Sequence, residues 1–232
     1  MMFAIAAALL SAAPPQAVSC GAANDEPGIT CRALAHQTQG RFADAASAFE
    51  RLAALLPASD PKRDRALAAA GNMWIAAAEP GKAAVALDRA LAGAGLQADQ
   101  RGEALLDRAR AAEAQNDLKT ARARTSEAAQ TISDNEFLWY FSAALAIREG
   151  NAVEAKSAIN RALVLAPSDP LILFEAGHVA HFSGDIAGAR DYWTRAAAAD
   201  PSGEVGKAAK EALALLDAPA AVQNGAQPTR QR

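Results

Sequence analysis

The sequence predicts an all-α fold, an α-solenoid of about five helix-turn-helix repeats closed by a C-terminal capping helix, and three observations lead there. The chain carries 65 alanines among 232 residues, and alanine has the strongest helix propensity of any residue. Aromatic residues, which sheets favour, make up only 5%. The third observation is internal repetition: QGRFADAASAFERLAALLP, EGNAVEAKSAINRALVLAP and SGDIAGARDYWTRAAAADP follow one pattern. A hydrophobic fraction of 51% against 21% charged residues supports a sizeable core of small side chains, which lets helices approach closely. The net charge of -3 offers no basic excess to neutralise phosphates, so the composition points away from nucleic acid.

Each of the three segments opens on a turn residue, Gly40, Gly150 or Gly184. An alanine follows five positions later (Ala45, Ala155, Ala189), then a large apolar residue (Phe49, Ile159, Trp193), then a proline (Pro57, Pro167, Pro201). Weaker copies pivot on Ala78 and Asn116, so the pivots are spaced 38, 38, 34 and 34 residues apart. Glycine at a pivot can end one helix in the left-handed conformation, and Asn151 or Asp185 beside it can cap the next. Asp60-Pro61 and Asp169-Pro170 each pair an N-cap residue with proline at the first helical position. Small residues at Gly71, Ala143 and Gly177 would let paired helices touch. The four extra residues of the first two periods fit loops containing Pro61 and Gly93 to Gly95. Each hairpin leaves an apolar face that only a neighbour can cover, so the last face needs a cap. Glu204 to Leu216 suits that role, with Ala208, Ala212 and Leu215 on one side.

This arrangement resembles the tetratricopeptide repeat (TPR) family, whose 34-residue unit is a helix-turn-helix. Trp139 stands where the family has tryptophan. Leu67, Ala70, Gly71 and Trp74 fall on the pattern in the second copy, and Leu173, Ala176, Gly177 and Ala180 in the fifth. The first copy (Ile29, Arg32, Ala33, His36) and the third (Leu105, Arg108, Ala109, Ala112, with Thr125 where a large residue belongs) depart from it. The resemblance covers residues 26 to 201. It implies that the first helices of successive repeats line a concave groove for a protein or peptide partner. The inward positions would then be Arg65, Asn72, Asp107, Arg110 and Glu113, followed by Phe137, Tyr140, Ala144 and Ile147, and by Leu171, Phe174, His178 and His181. Such a groove is polar first and aromatic later. Phe137 and Phe174 have the alternative of packing against neighbouring helices. The Lys and Asn pattern of the chaperone-tail carboxylate clamp is not recognisable.

The ends of the chain carry separate signals. Phe3 to Ala13 is an apolar run of signal-peptide length followed by Pro14 and Pro15, although the residues before it lack Lys or Arg. Cleavage after Ser19 or Ala17 would send the chain to the periplasm or outside the cell. The run is short of the roughly 18 to 20 residues that span a bilayer. The expected organisation is a signal peptide over 1–19, the solenoid with its cap over 20–216, and a disordered tail over 217–232. In an oxidising compartment Cys20 and Cys31 can pair. A rival reading lipidates Cys20, since Ala17 to Cys20 loosely resembles a lipoprotein processing site, and a third leaves both thiols free.

Catalytic signatures are lacking: there are three histidines, and neither a nucleophile elbow nor a phosphate loop. His178 and His181 are spaced to share a metal, but no carboxylate or thiol ligand accompanies them, so they read as packing or groove residues and no cofactor or metal is expected. The functional expectation is a non-catalytic interaction adaptor or scaffold of a bacterial cell envelope. The alternative is a structural or self-associating subunit, lipid-anchored at Cys20, that supports an envelope assembly.

Overall fold

The structure, a computed structural model, describes Cys20 and residues 23–217. The expected signal segment lies outside the described residues, as does the expected tail apart from Asp217. The described residues form eleven α-helices and no strand, paired as five hairpins and a final helix. The hairpins are α1 (Glu26–Thr38) with α2 (Phe42–Leu55), α3 (Pro61–Ala76) with α4 (Pro80–Ala92), and α5 (Ala98–Ala114) with α6 (Leu118–Ala128). They continue with α7 (Glu136–Arg148) and α8 (Ala152–Leu165), then α9 (Pro170–Phe182) and α10 (Ile186–Ala199), and end at α11 (Glu204–Asp217). Among the described residues no helix is long and apolar enough to cross a membrane.

One turn recurs in all five hairpins. Gly40, Gly150 and Gly184 have φ of 70°, 76° and 79°, and the non-glycine pivots Ala78 and Asn116 adopt 57° and 61°. In every copy the residue after the pivot donates its N–H to a carbonyl five positions back: Arg41 to His36, Glu79 to Trp74, Asp117 to Ala112, Asn151 to Ala146 and Asp185 to Ala180, each at 2.9 Å. The pivot N–H bonds three positions back, completing the Schellman arrangement that satisfies the carbonyls left open at a helix end. Side chains of Asp117, Asn151 and Asp185 then cap the second helix. Asp60 and Asp169 cap α3 and α9, each ahead of a proline, as their sequence implied.

The core follows from the alanines. Four overlapping apolar clusters run from α1 to α5, α5 to α7, α7 to α9 and α9 to α11. Gly71 sits against Leu87 and Gly177 against Trp193, so closely that a Cβ at either would enter the neighbouring side chain. In the loop after α4, buried Asp64 accepts the Gly95 N–H at 2.9 Å, fixing the extra residues of that period. The weaker copies keep their helices by substitution. Thr125, where a large residue was expected, is buried and donates to the Ala121 carbonyl at 2.8 Å.

Of all consecutive helices, α6 and α7 touch least. There polar side chains bridge the gap: Arg122 on α6 donates to Glu149 at 2.6 Å and to the buried Ser142 hydroxyl at 3.1 Å. Between α5 and α7, Asn135 donates to Glu103 at 2.8 Å and Arg148 forms an ion pair with Glu113.

At the ends, Cys20 and Cys31 are disulfide-bonded with Cα atoms 5.6 Å apart, tying the segment before α1 to that helix. Closing a loop of this size can contribute up to about 3 kcal/mol. Helix α11 covers the last hairpin with a face centred on Ala209, which shares Ala212 but not Leu215 with the expected Ala208, Ala212 and Leu215. Ala209 is fully buried, with Ala212, Leu213 and Leu216 packed beside it, and Leu215 is 58% exposed. The rotation follows from its anchor: Asp200 accepts from the Gly203 and Gly206 backbone, and Gly206 lies against the Asp200 carbonyl.

Two substitutions test this account. Ala78→Gly should stabilise the fold by about 1 kcal/mol, because alanine strains at positive φ. Gly177→Ala should cost about 1–3 kcal/mol by driving a methyl into the Trp193 ring. Urea unfolding of the two variants reads both; a destabilised Ala78→Gly would refute the turn argument.

Candidate functional site

The helices two apart in sequence that pack most closely are odd-numbered pairs, α3 with α5, α7 with α9 and α9 with α11. The odd helices therefore form the inner wall of the solenoid, and the second helices of the hairpins the outer one. Three of the sequence-predicted residues, on α3 and α5 of this inner wall, line a cavity of about 340 Å³. Arg65, Asn72 and Asp107 line it, along with Gln37, Gln100 and Glu103, over a floor that includes Ala68, Ala69 and Met73.

A line of contacts leads from this cavity along the groove. Asn72 Nδ2 donates to Asp107 Oδ2 at 2.8 Å, and Arg110 Nη1 donates to Asp107 Oδ1 at 2.8 Å. The Arg110 guanidinium lies 5.4 Å from the Phe137 ring centroid, and Phe137 lies 5.3 Å from Tyr140. On α9 the Phe174 ring meets His178 edge-on at 4.5 Å, and His178 reaches Trp193 at 5.4 Å. Phe137 and Phe174 are half-buried, so each both packs and contributes to the groove wall.

Other predicted residues have different employment. Glu113 is held by Arg148, which also donates to Asn116 at 2.9 Å, so it braces α5 against α7. Ile147 packs on the core between α7 and α9. His181 is exposed with its ring 5.8 Å from Trp193, so both α9 histidines turn toward an indole. Among the described residues no three His, Cys, Asp or Glu side chains converge as a metal cage.

The sequence reading missed Glu175. It is the one acidic or basic residue, histidines aside, in the apolar stretch PLILFEAGHVAHF, a signal that could have marked it. It is only 8% exposed, and burial pushes its carboxyl up to about 7. Tyr140 on α7 titrates above its ordinary value, first through its own burial and then through the Glu175 charge. His178 is lowered, first by burial and then by His181, and so stays neutral more readily.

No protein-family model matches this sequence, and no curated protein does. Solved structures match by shape. PilW, described as a widely conserved type IV pilus biogenesis factor, superposes with a TM-score of 0.68 at 16% identity, over 80% of this chain and 82% of that one. PilF of Pseudomonas aeruginosa gives 0.65 at 14% identity, over 82% of each chain. YrrB, described as a TPR protein with an unusual peptide-binding site, gives 0.59 at 16%, over 81% of this chain and 93% of that one. At such identities the likeness is one of fold, and the fold is the TPR solenoid.

Glu175 makes stability pH-dependent in an unusual direction. Between the ordinary carboxyl value of 4.5 and about 7, the folded chain holds a proton that the unfolded chain has released. Stability therefore falls as pH rises through that window, by roughly 3 kcal/mol in all. Glu175→Gln should be more stable than the parent at pH 8 by about 1–3 kcal/mol and nearly equal to it at pH 4.5. Urea titrations at the two pH values decide; an unchanged pH dependence in the variant would disprove it.

Proposed function

We propose that this chain is an exported, non-catalytic adaptor of a bacterial cell envelope that holds a peptide segment of a partner protein in its concave groove. The observation that carries the reading is the continuous line from Asn72 through Asp107, Arg110 and Phe137 to Tyr140. It spans three inner helices and offers hydrogen-bonding groups at one end and ring faces at the other. Aromatic and arginine side chains anchor interfaces because they combine large buried area or paired hydrogen bonds with modest entropic cost. The described peptide-binding site of YrrB and the pilus-biogenesis role of PilW are consistent with such a groove in an envelope protein. Export is supported by the disulfide, a bond that persists in oxidising compartments. A lipid thioether on Cys20 would require the sulfur that the bridge already uses.

The partner is recovered by pull-down from envelope extract and its binding measured by calorimetry. Replacing Tyr140 and Phe174 together by alanine should weaken it well over tenfold, since truncating one anchor costs about 2 kcal/mol or more. The outward, exposed Lys156 serves as the control and should be replaceable without effect. Arg190 cannot serve, because it donates to Asp217 at 2.6 Å and so holds α11. Full affinity in the double variant would move the working surface away from the groove. Intact mass tests export separately: the mature chain should begin at Val18 or Cys20 with both thiols oxidised. A diacylglycerol increment would establish the lipid anchor instead.

A further inference from the structure

Among the described residues four polar or charged side chains are buried: Asp64, Thr125, Ser142 and Glu175. Three have partners, since Asp64 accepts from Gly95, Thr125 donates to Ala121 and Ser142 accepts from Arg122. Glu175 alone of the four makes no hydrogen bond to any described residue. Burying a carboxyl without a donor is costly, and unpaired buried groups concentrate where a partner is to arrive. The position fits that expectation. Glu175 follows Phe174 on α9 and sits close enough to α7 for its charge to act on Tyr140, at the seam where two inner helices meet. Its oxygens are also not closed off. The unpaired side-chain atoms sealed from solvent are His36 Nδ1 and one oxygen of Asp64, so the Glu175 carboxyl keeps an opening.

We propose that Glu175, next to Phe174 on α9 at the seam with α7, is the seat for a lysine or arginine side chain of the bound peptide. A buried carboxylate without a donor favours a cation through charge, and the aromatic groove residues Tyr140 and Phe174 offer electron-rich ring faces to the stem or head of such a side chain. Once the carboxyl is ionised, an anionic side chain is repelled. The Arg110 guanidinium, already bonded to Asp107 and lying on Phe137, shows the same pairing of a cation with an acid and a ring in the adjacent part of the groove. The neighbouring histidine does not compete for the seat, because His178 is turned to Phe174 and Trp193 and held toward its neutral form. The seat rests on the groove reading above and adds to it the charge of the residue the groove selects.

The test is selection of a random linear peptide library on the full chain, on Glu175→Gln and on the Tyr140→Ala, Phe174→Ala double variant, with circular dichroism confirming each fold. Peptides selected on the parent should carry Lys or Arg at one fixed position. Replacing that residue by norleucine in a synthetic peptide should weaken binding at least tenfold. Glu175→Gln should weaken the basic peptide by a similar factor and no longer distinguish it from the norleucine peptide. If parent-selected peptides show no basic preference, or if the preference persists in Glu175→Gln, the seat is refuted. Should those same peptides also lose binding to the double variant, the groove reading survives that result. Peptides that bind the double variant as well as the parent, or a selection that yields none, would overturn groove and seat together.

Discussion

The left-handed residue at each hairpin turn is the constraint on which the rest of this structure depends. A chain of alanine-rich helices has little to fix how one helix leaves another, because small side chains fit together at many angles. The pivot and its two backbone bonds remove that freedom by setting the exit direction of the second helix in the same way five times. The repetition places all odd helices on one wall. A groove with continuous side-chain contacts across three hairpins exists only because those exits agree.

Within that frame the energetics are distributed. Most buried residues are alanines, each contributing little apolar area, so the core depends on the number and closeness of contacts rather than on large anchors. Large side chains appear where a glycine opens space, Leu87 over Gly71 and Trp193 over Gly177. Trp193 also donates its indole N–H to the Phe174 carbonyl at 3.0 Å, linking the last core cluster to the groove wall. Glu175 runs against this economy. Its neutral form suits its surroundings and its charged form does not, a pattern expected of a group kept for what it meets rather than for stability.

Much of the fold was legible because repetition converts weak local signals into strong ones. Ala78 and Asn116 look unremarkable as turn residues, yet their spacing from Gly40 and Gly150 marks them as pivots, and they adopt the same backbone. The proposed groove row rests on the same logic: inward positions recur with the repeat. What escaped were features outside the repeat. The docked face of α11 is shifted from the expected one, keeping Ala212 but turning Leu215 outward, because a terminal helix follows its local anchor at Asp200 rather than the hairpin register. Glu175 escaped because it lies one residue beyond the groove row, and its importance comes from Tyr140, distant in sequence. Glu113 looked like a ligand contact, whereas its cation is Arg148 on the next inner helix.

The sparse seam between α6 and α7 gives the solenoid an uneven stiffness. Other seams also carry ion pairs, Lys62 with Glu26 and Arg108 with Asp88, but their helices pack more closely, whereas here much of the joining falls to Arg122 with Glu149 and to Arg148 with Glu113. Their side chains are a quarter to two-fifths exposed, and charges so placed are weakened by dissolved ions. The cavity between α3 and α5 lies on one side of this joint and Tyr140, Phe174 and Glu175 on the other. The distance between the two parts of the groove is therefore a dimension that responds to ionic strength, and a ligand long enough to touch both would act as a splint across it.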